Sequence, residues 1–203
     1  GNLWFKQRLE GSPTWAAISA EYRNVYKRSA GTWLARTDDD SSGMRRGRAL
    51  TESQVSALLS ANNLWLETGT LSKNRGRARP GNQLMMSAFT RVFFGAPVVE
   101  VSTNTTVGHP ILEKASNPTV VDPSVLRFSH NSMDVLRLPI PGGDWPDDYD
   151  NRTILFTKRP TGPDLHFAVE LRETARAAVW RKASQDQKSS YSMRGGRRWG
   201  VFG

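Results

Sequence analysis

The chain has 203 residues, 37% of them hydrophobic, and no cysteine. That is enough for one folded domain burying about 70% of its unfolded surface, and it excludes wholesale disorder, disulfide frameworks, zinc knuckles and thiol catalysis. The net charge is +9 and the pI near 10.3, with 21 arginines among the 28 basic residues, which favours a polyanionic partner over an acidic protein surface.

The first predicted element is a helix over 14–29, with Thr14 as its N-cap and Ile18, Tyr22, Val25 and Tyr26 on one face. A short strand is expected over 31–37, then a polar loop, DDDSSGMRRGR, over 38–48. Leu50 to Ala61 carries the strongest local signals: Thr51 and Gln54 form a capping box, and Leu50 and Val55 stand where a hydrophobic staple would. Asn82 to Phe94, NQLMMSAFTRVFF, is expected to be helical and to stop at Gly95.

After residue 95 the pattern shortens to β-branched and aromatic segments bounded by Gly, Pro, Asn and Asp: 98–102, 125–130, 134–140, 153–158 and 165–171. The turn-rich RPTGPD between the last two predicts an antiparallel hairpin. A helix is expected over 170–180, followed by a basic, glycine-rich tail. The expected fold class is α+β: a mostly antiparallel, open β-barrel-like sheet with several helices, mainly in the N-terminal half. The expected organisation is a single domain, helix-rich over 1–95 and strand-rich over 96–203, cut from a longer protein because Gly1 replaces Met. No apolar run suits a membrane span and the start lacks an apolar signal core, so a cytoplasmic location and no membrane partner are expected.

Three basic segments carry the functional reading: Arg45-Arg46-Gly-Arg48; LSKNRGRARPGNQ, with Lys73, Asn74, Arg75, Arg77 and Arg79; and Arg194-Gly-Gly-Arg197-Arg198-Trp199. Glycine lets backbone approach a phosphate closely and donate its own N–H groups, and the guanidinium fork matches phosphate oxygens or the O6/N7 edge of guanine. Asn82 and Gln83 can each pair with adenine, although Asn82 serves equally well as a helix N-cap. Trp199 either stacks on a base or anchors the chain end in the core.

Catalytic constellations are weaker. His166 alternates within an apolar strand and reads as structural. The acidic run DWPDDYD at 144–150 lacks the spacing of a calcium loop and reads as a solvated turn. Pro163-Asp164 followed by Glu170-Leu-Arg172 echoes a metal-dependent nuclease pattern, with too short a gap and Arg in place of Lys. No catalytic residue, metal ligand or cofactor is assigned.

Residues 127–141, RFSHNSMDVLRLPIP, with Asn131 in its strand, followed by DWPDDYDNRTILFTKR, resemble the specificity half of phospholipase D-type bacterial restriction endonucleases. The PGNQ at 80–83 and GRRWG at 196–200 are similar to the same family. The resemblance implies a B3-like open barrel whose edge loops grip the major groove of double-stranded DNA. The His-x-Lys signature of the phospholipase D catalytic half occurs at none of the three histidines, which implies that cleavage resides in another domain or subunit. The expected function is therefore sequence- or modification-specific recognition of duplex DNA for a restriction or defence endonuclease. An RNA or single-strand binder, and a nuclease acting through the acidic turn, remain as alternatives.

Overall fold

A computed structural model of the chain describes residues 34–35, 48–49, 51–71, 80–96, 102–129, 133–159, 165–193 and 195–203. Strands β1 (Leu34–Ala35) and β2 (Arg48–Ala49) form a small antiparallel pair. They are followed by helix α1 (Glu52–Ser60), β3 (Asn63–Glu67), β4 (Gln83–Ser87) and a 3-10 turn over Ala88–Val92. The second half contributes β5 (Thr106–Gly108), β6 (Ile111–Lys114), β7 (Asn117–Pro123), β8 (Leu126–Phe128) and β9 (Met133–Arg137). The long hairpin β10 (Arg152–Arg159) and β11 (His166–Glu173) leads through a 3-10 turn at Thr174–Ala177 to helix α2 (Ala178–Asp186). The chain closes with β12 (Ser190–Ser192) and β13 (Arg198–Phe202).

These strands make a seven-stranded sheet, β12-β13-β3-β10-β11-β6-β7, and a four-stranded sheet, β4-β9-β8-β5. All neighbours are antiparallel except β11 and β6. The α+β, mostly antiparallel class is therefore as expected. The described strands do not close into one barrel, and the two described helices lie one in each half instead of mainly in the first. The helix expected over 14–29 lies outside the described residues, as does most of the strand expected over 98–102.

The main core lies between the two sheets. Strand alternation sends Leu64, Leu66, Ile154, Phe156, Phe167 and Val169 of the larger sheet inward, facing Leu84, Met86, Leu126 and Leu136 of the smaller. Phe93 and Phe94, just beyond the first 3-10 turn, wedge among them, with the Phe94 ring 4.7 Å from Phe167 and 5.4 Å from Phe156. Each such side chain contributes about 1.5–3 kcal/mol on burial. A second, smaller core covers the other face of the large sheet. There Trp65 and Leu155 pack under Ala177 and Trp180, and the Trp65 indole donates to Ser184 Oγ at 2.9 Å.

Helix α1 starts as its capping box requires: Gln54 N donates to Thr51 Oγ1, and Gln54 Oε1 accepts from Thr51 N. Two other helix expectations are corrected. Gln83–Ser87 is a strand, because pairing with β9 and the alternation of buried Leu84 and Met86 with Gln83 and Met85 outweigh local helix propensity. Only a 3-10 turn follows, begun by Ser87 Oγ accepting from Phe89 N; Gly95, at φ 78°, closes the segment as expected. Likewise β11 runs on to Glu173, held opposite Arg152, so the helix expected from Glu170 begins only at Ala178. The 153–158 and 165–171 segments do form the expected antiparallel hairpin.

A buried ion pair ties the smaller sheet to the first 3-10 turn. Arg91 donates Nε and Nη2 to the Asp134 carboxylate at 2.6 and 2.7 Å, with the side chains 1% and 0% exposed. The Arg91 guanidinium also lies over the Phe128 ring.

Candidate nucleic-acid interface

The basic tail contributes the hairpin between β12 and β13. Its turn is closed by Met193 N donating to Arg197 O and Gly196 N to Met193 O. Gly195 and Gly196 hold φ of 91° and 83°, a region side chains avoid, which is why two glycines stand at the tip. From this turn the Arg197 guanidinium donates through Nη1 to the carbonyls of Thr68 and Met85, both at 3.0 Å. Thr68 lies just after β3 and Met85 within β4, so one side chain ties the tail hairpin to both stems of the second basic segment. A Cβ on Gly69 would come within 2.9 Å of Arg197 Cδ, so the backbone can pass this close only as glycine. Burial pulls the Arg197 pKa down, and the Glu67 carboxylate opposes that pull.

The stems are anchored independently. Leu71 N donates to Asp150 Oδ1 at 2.8 Å, and Asp148 Oδ1 accepts from Asp150 N. The acidic turn thus supports the departure of the basic segment. On the return side, Asn82 Nδ2 donates to Leu138 O, and Leu138 N to Asn82 O.

The predicted contacts sort as follows. Lys73, Asn74, Arg75, Arg77, Arg79, Arg45, Arg46, Asn131 and Arg194 lie outside the described residues. Arg48 sits on β2 opposite Ala35. Gln83 is exposed at the start of β4. Asn82 is corrected on two counts: it precedes a strand instead of capping a helix, and its buried amide serves the backbone, which removes it as a base reader. Trp199 is also corrected. At 2% exposure, stacked on Tyr191 with centroids 4.4 Å apart, it is a core anchor with no face for a base. Arg197 works as a structural tie in place of a phosphate contact. Arg198 stays exposed but donates Nη2 to Glu67 Oε1 at 2.9 Å.

Other charged groups of the frame are similarly engaged. Arg152 meets Glu173 and Lys182 meets Asp186, while Arg172 meets Glu170 and covers the Trp180 ring. His166 Nδ1 bonds Glu113 Oε1, with Arg159 on the other carboxylate oxygen at 3.7 Å, so the histidine has a satisfied structural role. Lys158 donates Nζ to Leu59 O and sits over the Phe93 ring; burial lowers its pKa to about 8.

Sequence reading overlooked the outward face of the smaller sheet. Beside Gln83 it carries Arg137, directly opposite, and Arg127 on the next strand. Asp134, Val135 and Leu136 are all buried and only Arg137 is exposed, so no alternation in the sequence marked this end of β9. No family model matches this chain, and no curated protein or solved structure is significantly similar to it.

Proposed function

We propose that this chain is a double-stranded DNA-binding domain, the target-recognition part of a bacterial restriction or related defence endonuclease, with cleavage supplied by another domain or subunit. The observation that carries this reading is the Arg197 tie. It holds the glycine hairpin of the third basic segment against the two stems from which the second departs and to which it returns. Basic segments that start from neighbouring points of the fold can act together on a phosphate backbone. The likeness of residues 127–141 and 144–159 to phospholipase D-type restriction enzymes supports the finer assignment. Loss of Trp199 to the core weakens the single-strand alternative, for which it was the proposed stacking platform.

Fluorescence anisotropy with a labelled duplex at about 150 mM salt tests the proposal. Binding to about six phosphates gives a log K against log salt slope near −5. A slope near zero, or single strands displacing the duplex at equal concentration, overturns it.

A further inference from the structure

Resting on that reading, we infer that Asp150 is a positioning residue for duplex binding: its hydrogen bond fixes the stem of the second basic segment, and so favours a polyanionic ligand despite its own negative charge. The stem runs from Thr68 to Leu71, beyond the last paired residue of β3, Glu67 opposite Thr153. Along it, the end of the acidic turn continues what the strand ladder began. Thr68 N donates to Arg152 O at 3.0 Å, Thr68 Oγ1 to Tyr149 O at 2.6 Å, and Asn151 N to Gly69 O at 2.8 Å. Gly69 at φ 61° and Asn151 at φ 53° take left-handed conformations, which bend the two chains at the same level while that bond holds. The Asp150 carboxylate then accepts from Leu71 N at 2.8 Å.

Asp150 is itself held in place. Its N–H donates to Asp148 Oδ1 at 3.0 Å, and the preceding Tyr149 is buried in the main core. Leu71 is buried in the same core, so its side chain fixes where the stem ends, and the Asp150 bond fixes the direction its backbone takes. Lys73 follows two residues later and Arg75 four. A basic segment that leaves a fixed stem loses less conformational freedom on docking than one that leaves a loose stem, which raises affinity without any added contact. Electrostatics alone argues the reverse, because a carboxylate this close in sequence to Lys73 repels phosphate and its removal would tighten binding. The two effects separate at Asp147, which is exposed in the same turn and whose carboxylate engages no other group among the described residues.

Anisotropy with a labelled duplex at about 150 mM salt compares the parent chain with Asp147→Ala, Asp150→Ala and Asp150→Asn, at a temperature where urea titration finds each folded. Exchange of the Leu71 amide proton is followed alongside by NMR. Asp147→Ala is expected to bind as the parent does or up to about threefold tighter, since one repelling charge is lost. Asp150→Ala is expected to bind about 3- to 10-fold more weakly, equivalent to one net hydrogen bond, with an unchanged salt slope and a faster-exchanging Leu71 amide. Asp150→Asn keeps an oxygen acceptor at the same place and restores both the parent affinity and the slow exchange. Should Asp150→Ala not fold, Asp150→Ser, too short to reach the Leu71 amide, carries the same comparison. Asp150→Ala binding at least as tightly as the parent overturns the inference and leaves duplex binding standing. So does Asp150→Asn binding as weakly as Asp150→Ala, or an equal weakening in Asp147→Ala. Failure of the parent to bind any duplex removes the underlying reading itself.

Discussion

Replacing Asp134 by asparagine removes the counterion of a guanidinium that is 1% exposed. The carboxylate takes both the 2.6 and the 2.7 Å bonds from Arg91 and shares its site with the Phe128 ring, so no solvent is at hand to compensate. Breaking a buried pair from one side costs about 3–5 kcal/mol. With a urea dependence of about 2 kcal/mol per molar, the unfolding midpoint of Asp134→Asn falls by about 2 M. Removing both partners is different: Arg91→Met with Asp134→Leu returns most of that loss, because the desolvation of both charges disappears with them. The reverse single change adds a pH signature. Burial raises the Asp134 pKa, and Arg91 opposes this through its hydrogen bonds and charge. In Arg91→Met the opposition is gone, so the folded state holds the proton more tightly than the unfolded chain does. The stability that Asp134 contributes in that variant is fully present below about pH 4 and is lost as pH rises through its folded pKa, which is read as the difference from the parent. Urea titrations of the four proteins at two pH values measure all of this. A cost below about 1 kcal/mol for Asp134→Asn, or a double variant weaker than either single one, refutes the reasoning.

Lys158 supplies a second titration, of opposite sign. Its pKa is lowered to about 8 by burial against an unfolded value near 10.4, so stability rises as pH goes from 8 to 10. The gain is at most about 3 kcal/mol, and urea midpoints of Lys158→Met show no such rise if the assignment is right. Arg197→Met leaves the Thr68 and Met85 carbonyls without their donor and costs about 2–4 kcal/mol in urea unfolding. It also weakens duplex binding more than Arg198→Met does, in the anisotropy assay. Trp199→Phe lowers stability by about 1–3 kcal/mol, yet binds duplex like the parent at a temperature where both are folded; lost affinity in the folded variant would restore a base-stacking role. Reversing Arg75, Arg77 and Arg79 to glutamate reduces the salt slope by about 3 and weakens binding uniformly across sequences.

Sequence alone was sufficient wherever the deciding interactions are short in range. The Thr51–Gln54 capping box is closed over three residues, and it placed the start of α1. The RPTGPD link likewise announced the β10–β11 hairpin, and composition made the charge and arginine bias plain. Tertiary structure decided what depends on partners distant along the chain. Gln83–Ser87 is a strand only because Met133–Arg137 lies beside it, some fifty residues on. Asn82 and Trp199 looked like ligand contacts, since polarity and aromaticity in a glycine-rich setting are shared by binding loops and by buried anchors; Leu138 O and the Tyr191 ring tell them apart. Arg197 shows the same limit most clearly. Its charge was legible, but its role depends on two carbonyls more than a hundred residues away, brought within reach only when β13 pairs with β3 and β4 takes its place in the second sheet.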